Sequence, residues 1–285
     1  MFEPTEIIFS STSACNLHCD HCFVSRNPQK LSIEDAKNFI TSCKKAPNSQ
    51  IQKIGFSGGE PFLYFEFLLE ITKFTIKQDL LFDQIMTNGD WWKTEEDLNE
   101  KLQALYDSGY DGKFGVSYDK FHGQTPERMT IFISSVQKIF GNDSVNIQSV
   151  GNSLPLEVET TIYTLPQTFQ SEDERAWQAK KWFKDDYCEG PGNIFYVHSN
   201  GNIAPCCGFA NENPELFIGK ITDSFETIMN NAKNNKLVKI CFETGLGKYR
   251  HQIKKQMRHI GKKFPGKCND ICSFCDYVCK NSNLN

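Results

Sequence analysis

The sequence predicts an α/β fold built on parallel strands. Short β-forming runs alternate with helix-length segments at a spacing that suits right-handed βα crossovers, and each run ends in a small or polar cluster. In a parallel barrel or part-barrel those ends share one face, where such folds place their chemistry. The cysteines give a third observation. The sequence has 285 residues and twelve cysteines, gathered toward the two ends of the chain, which favours metal over a disulfide framework.

The first run, Glu6 to Ser10, reads as a buried strand that delivers the chain to Cys15, Cys19 and Cys22. Their C-x3-C-x2-C spacing fits an iron–sulfur cluster with one open iron, or a structural zinc site completed by His18 or His21. Ser32 then caps a helix running to about Cys43, a lone cysteine read as core. Ile51 to Phe56 is a second strand, ending in Ser57-Gly58-Gly59-Glu60-Pro61, where the glycines allow close backbone approach and the proline opens a helix. Leu81 to Met86 ends in Thr87-Asn88-Gly89, and Lys113 to Val116 ends in Ser117-Tyr118-Asp119. Helices are expected near Pro61 to Lys77, Glu95 to Ser108 and Pro126 to Phe140; Val145 to Val150 and Leu156 to Tyr163 are further strands.

Beyond these, Ser171 to Phe183 reads as a helix of mixed charge leading to Cys188. Asn200-Gly201 between Ile194 to His198 and Asn202 to Ala204 is a hairpin signal that brings Cys206 back toward Cys188. Cys268, Cys272, Cys275 and Cys279 follow at C-x3-C-x2-C-x3-C spacing, for which a zinc ribbon is the plain alternative. Cys241 is read as core. Tyr249, Ile253, Met257 and Ile260 share one helical face amid eight Lys or Arg between Gly245 and Asn269, giving either a solvated cationic face or a docking surface for an acidic partner. A net charge of -4 names no partner and does not favour nucleic acid. Met1 to Glu6 carries no export signal and no apolar run is long enough to span a bilayer, so a cytoplasmic protein is expected.

Taken in order, Cys15-x3-Cys19-x2-Cys22, Gly58-Gly59-Glu60-Pro61, Thr87-Asn88-Gly89 and Ser117-x-Asp119 resemble the motifs of radical S-adenosylmethionine (SAM) enzymes. The resemblance implies a partial (β/α)6 TIM-like barrel over residues 1–187. It implies that Cys15, Cys19 and Cys22 hold a 4Fe-4S cluster whose open iron takes SAM. It also implies that Gly58, Gly59 and Glu60 contact the methionine amino group, that Asn88 lies near the cofactor, that Ser117 and Asp119 serve the ribose or carboxylate, and that His21 sits beside the adenine.

The pairing of Cys188-x12-Gly201-x4-Cys206 with the late cysteines resembles a SPASM or twitch extension, implying a small cysteine-rich domain, 188–285, that contains the β-hairpin. The resemblance leads us to expect one auxiliary 4Fe-4S cluster on Cys188, Cys206 and two of Cys268, Cys272, Cys275 and Cys279, with room for a second. A second would have to find its ligands among Cys207, Cys241 and the cysteines left over; otherwise Cys241 is core, and Cys207 is either core or a free thiol that donates a hydrogen atom to a substrate radical.

The expected function is modification of a ribosomally made peptide by epimerisation, thioether formation or carbon–carbon crosslinking, with a flavodoxin or ferredoxin as reductant. Only 14 residues precede Cys15, so peptide recognition is expected from a separate leader-binding protein or a barrel surface. The alternatives are a radical dehydrogenase of a small molecule or of a protein Ser or Cys, and a non-catalytic zinc-organised interaction module.

Overall fold

Nine strands form one sheet in the order β6-β5-β4-β3-β2-β1-β7-β8-β9 in a computed structural model that describes residues 1–19, 22–24, 27–150, 156, 159–165, 168–184, 186–188 and 192–281. They are β1 (Glu6–Ser10), β2 (Lys53–Ser57), β3 (Leu81–Thr87), β4 (Lys113–Ser117), β5 (Val145–Ser149), β6 (Thr161–Thr164), β7 (Gly192–Val197), β8 (Asn202–Cys206) and β9 (Gly219–Lys220). Each neighbouring pair from β1 to β6 is parallel, and the sheet stays open. This is the α/β part-barrel the alternation predicts.

Helices α1 (Ile33–Lys45), α2 (Phe65–Lys77), α3 (Glu95–Asp107) and α4 (Pro126–Phe140) follow the first four strands. Three of them start where a hydroxyl caps the first turn: Ser32, Thr94 and Thr125 accept from the N–H groups of Asp35, Asp97 and Arg128. Their apolar faces cover one side of the sheet, burying Phe39, Phe67, Leu102 and Phe132 against Phe9, Phe56, Ile85 and Phe114. Cys43 belongs to this core. The other side of the sheet carries smaller and polar groups. A Cβ on Gly115 would lie 2.5 Å from the Met86 sulfur, and Asn146 donates to Gln84 Oε1 at 3.4 Å. Glu6, on this face, has its carboxyl pushed up to about 8 by burial and by the neighbouring Asp83, against the pull of Lys53.

On its other edge β1 pairs in parallel with β7, and β7 turns back through Asn200-Gly201 into antiparallel β8. Gly201 adopts φ +83°, which the tight turn requires. The predicted hairpin is thus present, and it extends the barrel sheet. After β9 come α5 (Phe225–Asn234), the short α6 (Lys236–Lys239), a π-helical turn at Ile240–Thr244, α7 (Leu246–His259) and α8 (Ile271–Lys280). Among the described residues no helix is long and apolar enough to cross a membrane.

Three expectations change. The segment from Ser171 to Phe183 is not a helix: one 3-10 turn at Glu174–Trp177 is followed by pairing with a distant segment, in which Ala179 N–H donates to Lys267 O and Phe183 N–H to Cys268 O. With its polar backbone bound there and Trp177 buried, the segment gains nothing from coiling. The strand expected over Leu156 to Tyr163 is the shorter β6, with residues 157 and 158 outside those described. Tyr249, Ile253 and Met257 are buried as expected, but α7 ends before Ile260, which is 56% exposed.

Candidate functional site: two groups of thiols

The cysteine loop leaves β1 through a closed neck. Leu31 N–H donates to Ser11 O at 2.9 Å, Ser13 N–H to Gln29 O at 3.1 Å, and the Thr12 and Ser13 hydroxyls bind the carbonyls of Gln29 and Asn27 at 2.7 Å. Beyond the neck, Cys15 and Cys19 are half-buried and Cys22 is exposed. Burial, and then the nearby Cys22 and Cys15, push the Cys19 thiol up to about 11. Cys22 N–H closes a turn onto Cys19 O at 3.1 Å. His18 is exposed, and His21 lies outside the described residues.

Gly58 and Gly59 have a reason in the fold itself. Gly59 N–H donates to Thr12 O at 2.7 Å and Glu60 N–H to Ala14 O at 2.8 Å. A Cβ on Gly59 would stand 2.2 Å from Ala14 O, and one on Gly58, at φ +141°, 2.4 Å from Thr12 O. Only glycines let the end of β2 approach the root of the cysteine loop this closely.

Glu60 is fully buried and ties two strand ends together. Its carboxylate accepts from Phe62 N–H at 3.1 Å, Thr87 Oγ1 at 2.9 Å and Asn88 N–H at 2.8 Å. Burial nevertheless pushes its carboxyl up to about 7. Asn88 continues the chain of contacts: its Nδ2 donates to Asn16 Oδ1 at 3.0 Å and to Cys15 Sγ at 3.6 Å, and its Oδ1 accepts from Asp90 N–H at 2.8 Å. Both amide hydrogens of Asn88 are therefore committed to the cysteine loop.

At the end of β4, Asp119 Oδ1 accepts from Phe121 N–H and meets His122 Nδ1, both at 2.8 Å. Burial works against ionisation there, but these partners hold the carboxyl below its ordinary value. Gln124 joins the ends of β3 and β4 by donating to Asn88 O at 2.6 Å and Ser117 O at 2.8 Å. Its Oε1 is buried without a hydrogen-bond partner. An orphaned acceptor beside Asn88 and Ser117 fits a ligand that brings donors, as a ribose or an amino group would. Sequence reasoning missed Gln124, because nothing local marks a glutamine that bridges two strand ends.

The second group lies around β8 and α8. Cys188, Cys206, Cys241, Cys272 and Cys275 line one pocket with otherwise apolar walls. Asp270 caps α8 through Cys272 N–H at 3.0 Å, and the spacing of Cys272, Cys275 and Cys279 places all three on one helical face. Cys241, read as core, has its sulfur 3.7 Å from that of Cys275. Cys268 instead donates its thiol to Asp270 O at 3.0 Å, and Cys279 is buried in contact with Cys275. Among the described residues no three His, Cys, Asp or Glu side chains are drawn onto one point. The donors are nonetheless all thiols in apolar surroundings, which suits an iron–sulfur cluster or zinc and no hard cation.

Cys207 is not among the residues lining that pocket. It is half-buried, and burial, with Glu6 and then Asp83 nearby, pushes its thiol up to about 12.

The radical SAM superfamily model matches residues 9–139, and the SPASM iron-sulfur cluster-binding domain model matches residues 188–276. YydG of Bacillus subtilis (strain 168), named for peptide biosynthesis, is 25% identical over 92% of this chain and 88% of its own. A solved structure of anSMEcpe with bound AdoMet and the Cp18Cys peptide shares the fold at TM-score 0.54 and 15% identity, covering 99% of this chain and 98% of that one. Streptococcus suis SuiB, solved with its precursor peptide SuiA, aligns at TM-score 0.51 and 14% identity, covering 96% and 76%. This chain belongs to the radical SAM superfamily, as an enzyme with a C-terminal SPASM domain whose cofactors are SAM and 4Fe-4S clusters.

Proposed function

We propose that this enzyme epimerises a residue of a ribosomally made peptide. Similarity to YydG along nearly the whole chain, and a fold shared with two proteins solved with peptides, support a peptide substrate. Cys207 carries the choice of reaction: a half-buried thiol outside the lining of the auxiliary pocket and next in sequence to Cys206.

In this reading residues 1–187 form the catalytic part and 188–285 the auxiliary part. Cys15, Cys19 and Cys22 hold one cluster and leave its fourth iron for SAM. Gly58 and Gly59 fix the cysteine loop beside the methionine end, Glu60 and Asn88 hold the strand ends in place, and Ser117, Asp119 and Gln124 face the ribose side. Bound SAM supplies a 5'-deoxyadenosyl radical when one electron arrives from a flavodoxin or ferredoxin. In this reading Cys207 would give its S–H hydrogen to the opposite face of a peptide Cα radical, and its thiyl would be restored by one electron from the same class of reductant and a proton from solvent. A separate leader-binding protein would present the peptide.

Turnover in D2O with the candidate precursor peptide tests this reading. Wild-type enzyme should place one deuterium at Cα, whereas Cys207→Ala should still form 5'-deoxyadenosine but release no deuterated epimer. Unchanged epimer from Cys207→Ala, or a wild-type product two hydrogens lighter, would overturn it.

A further inference from the structure

We propose that Cys241 is a ligand of the auxiliary cluster, with Cys188, Cys206 and Cys275 as the other three. The inference rests on reading residues 188–285 as an iron–sulfur domain, and it adds a ligand that stands apart from both cysteine motifs in the sequence.

The bland role for a buried cysteine is visible elsewhere in the same chain. Cys43 sits in the core on α1, fully buried, with no second thiol beside it among the described residues. Cys241 is placed differently. Its sulfur contacts that of Cys275 at 3.7 Å, and it shares one pocket wall with Cys188 and Cys206.

The local backbone brings it there. Cys241 lies on the π-helical turn Ile240–Thr244, closed by Gly245 N–H onto Ile240 O at 2.9 Å. Wide turns of this kind re-aim side chains and recur at functional sites. The turn is also fastened to the hairpin side of the pocket, because Cys188 N–H donates to Cys241 O at 3.1 Å. Gly192, paired with Cys206 across the hairpin, has no room for a Cβ, which would stand 2.8 Å from the Cys188 sulfur. Four separate segments thus carry thiols to one pocket: the stretch ending at Cys188, β8 with Cys206, the π turn with Cys241, and α8 with Cys275.

The remaining late cysteines are placed less well. Cys268 spends its thiol on Asp270 O, Cys279 is not among the residues lining the pocket, and Cys272, which does line it, is half-buried in the first turn of α8 where the other four are buried.

The test uses the full chain with Cys15, Cys19 and Cys22 all changed to alanine, so that any iron belongs to the auxiliary site. After anaerobic reconstitution this parent should hold about four irons. Adding Cys241→Ala should remove nearly all of them, while adding Cys268→Ala or Cys279→Ala should leave both the iron count and the reduced-state EPR spectrum as in the parent. Cys241→Ser, which keeps the size of the side chain and offers oxygen as a ligand, should retain iron with shifted EPR g-values. Iron and spectrum unchanged in Cys241→Ala, or an unshifted spectrum in Cys241→Ser, would overturn the proposal. A parent that takes up no iron would instead overturn the iron–sulfur reading of the domain, and this proposal with it.

Discussion

The two groups of thiols are held by different means. At the N-terminal site the cysteines sit on an irregular loop, half-buried or exposed, and their positions are set by backbone groups of β2 and by the Glu60, Asn88 and Gln124 network. At the C-terminal site the thiols hang from a hairpin, a π turn and a helix, packed beside the aromatic rings of Trp177, Trp182, Phe183 and Phe274. A loop fixed by hydrogen bonds leaves one side free for a ligand to arrive. The thiols on packed elements are buried, apart from the half-buried Cys272.

Gly59→Ala should sharpen this contrast most. The new Cβ would meet Ala14 backbone atoms at 2.2 and 2.7 Å, which cannot swing aside as a side chain could. We expect a cost of about 3 kcal/mol, with iron uptake lost at the N-terminal site and kept at the C-terminal one. Equal iron loss at both sites, measured after reconstitution, would break the comparison.

Glu60→Gln tests the network through pH. The Glu60 carboxyl stands at about 7 in the folded chain against 4.5 for the free group, so the folded state binds the proton more tightly. Its contribution favours folding below about pH 4.5 and fades as the pH rises to about 7, by up to about 3 kcal/mol. Denaturant midpoints across that window should therefore fall less steeply with rising pH in the glutamine variant, and an identical slope would exclude Glu60 as the source.

The smallest effect belongs to Asn88→Ala. Removing an N–H donor from the Cys15 sulfur takes away a hydrogen bond that favours the more negative, reduced cluster, so the N-terminal midpoint potential should shift negative. The C-terminal potential should stay where it is. A redox titration followed by EPR reads both.

Much of this was legible in the sequence. The βα alternation predicted the parallel sheet, the Asn-Gly pair predicted the hairpin, and polar strand ends predicted one shared face, because each of these is written in local spacing. Ser171 to Phe183 was misread as a helix because its partners, Lys267 and Cys268, lie far along the chain. Cys241 is buried, as the core reading expects, but its closeness to Cys275 exists only after folding, and nothing local announces a π turn. Gln124 was invisible because its meaning comes from the two carbonyls it joins.

The parallel pairing of β1 with β7 has a further consequence. The strand that feeds the catalytic cysteines owes one of its two hydrogen-bonded neighbours to the C-terminal part. Removing residues after 187 would leave β1 as a bare parallel edge, open to pairing with another molecule. The residues that follow 187 therefore also serve the barrel strands, by covering the edge from which the catalytic loop departs.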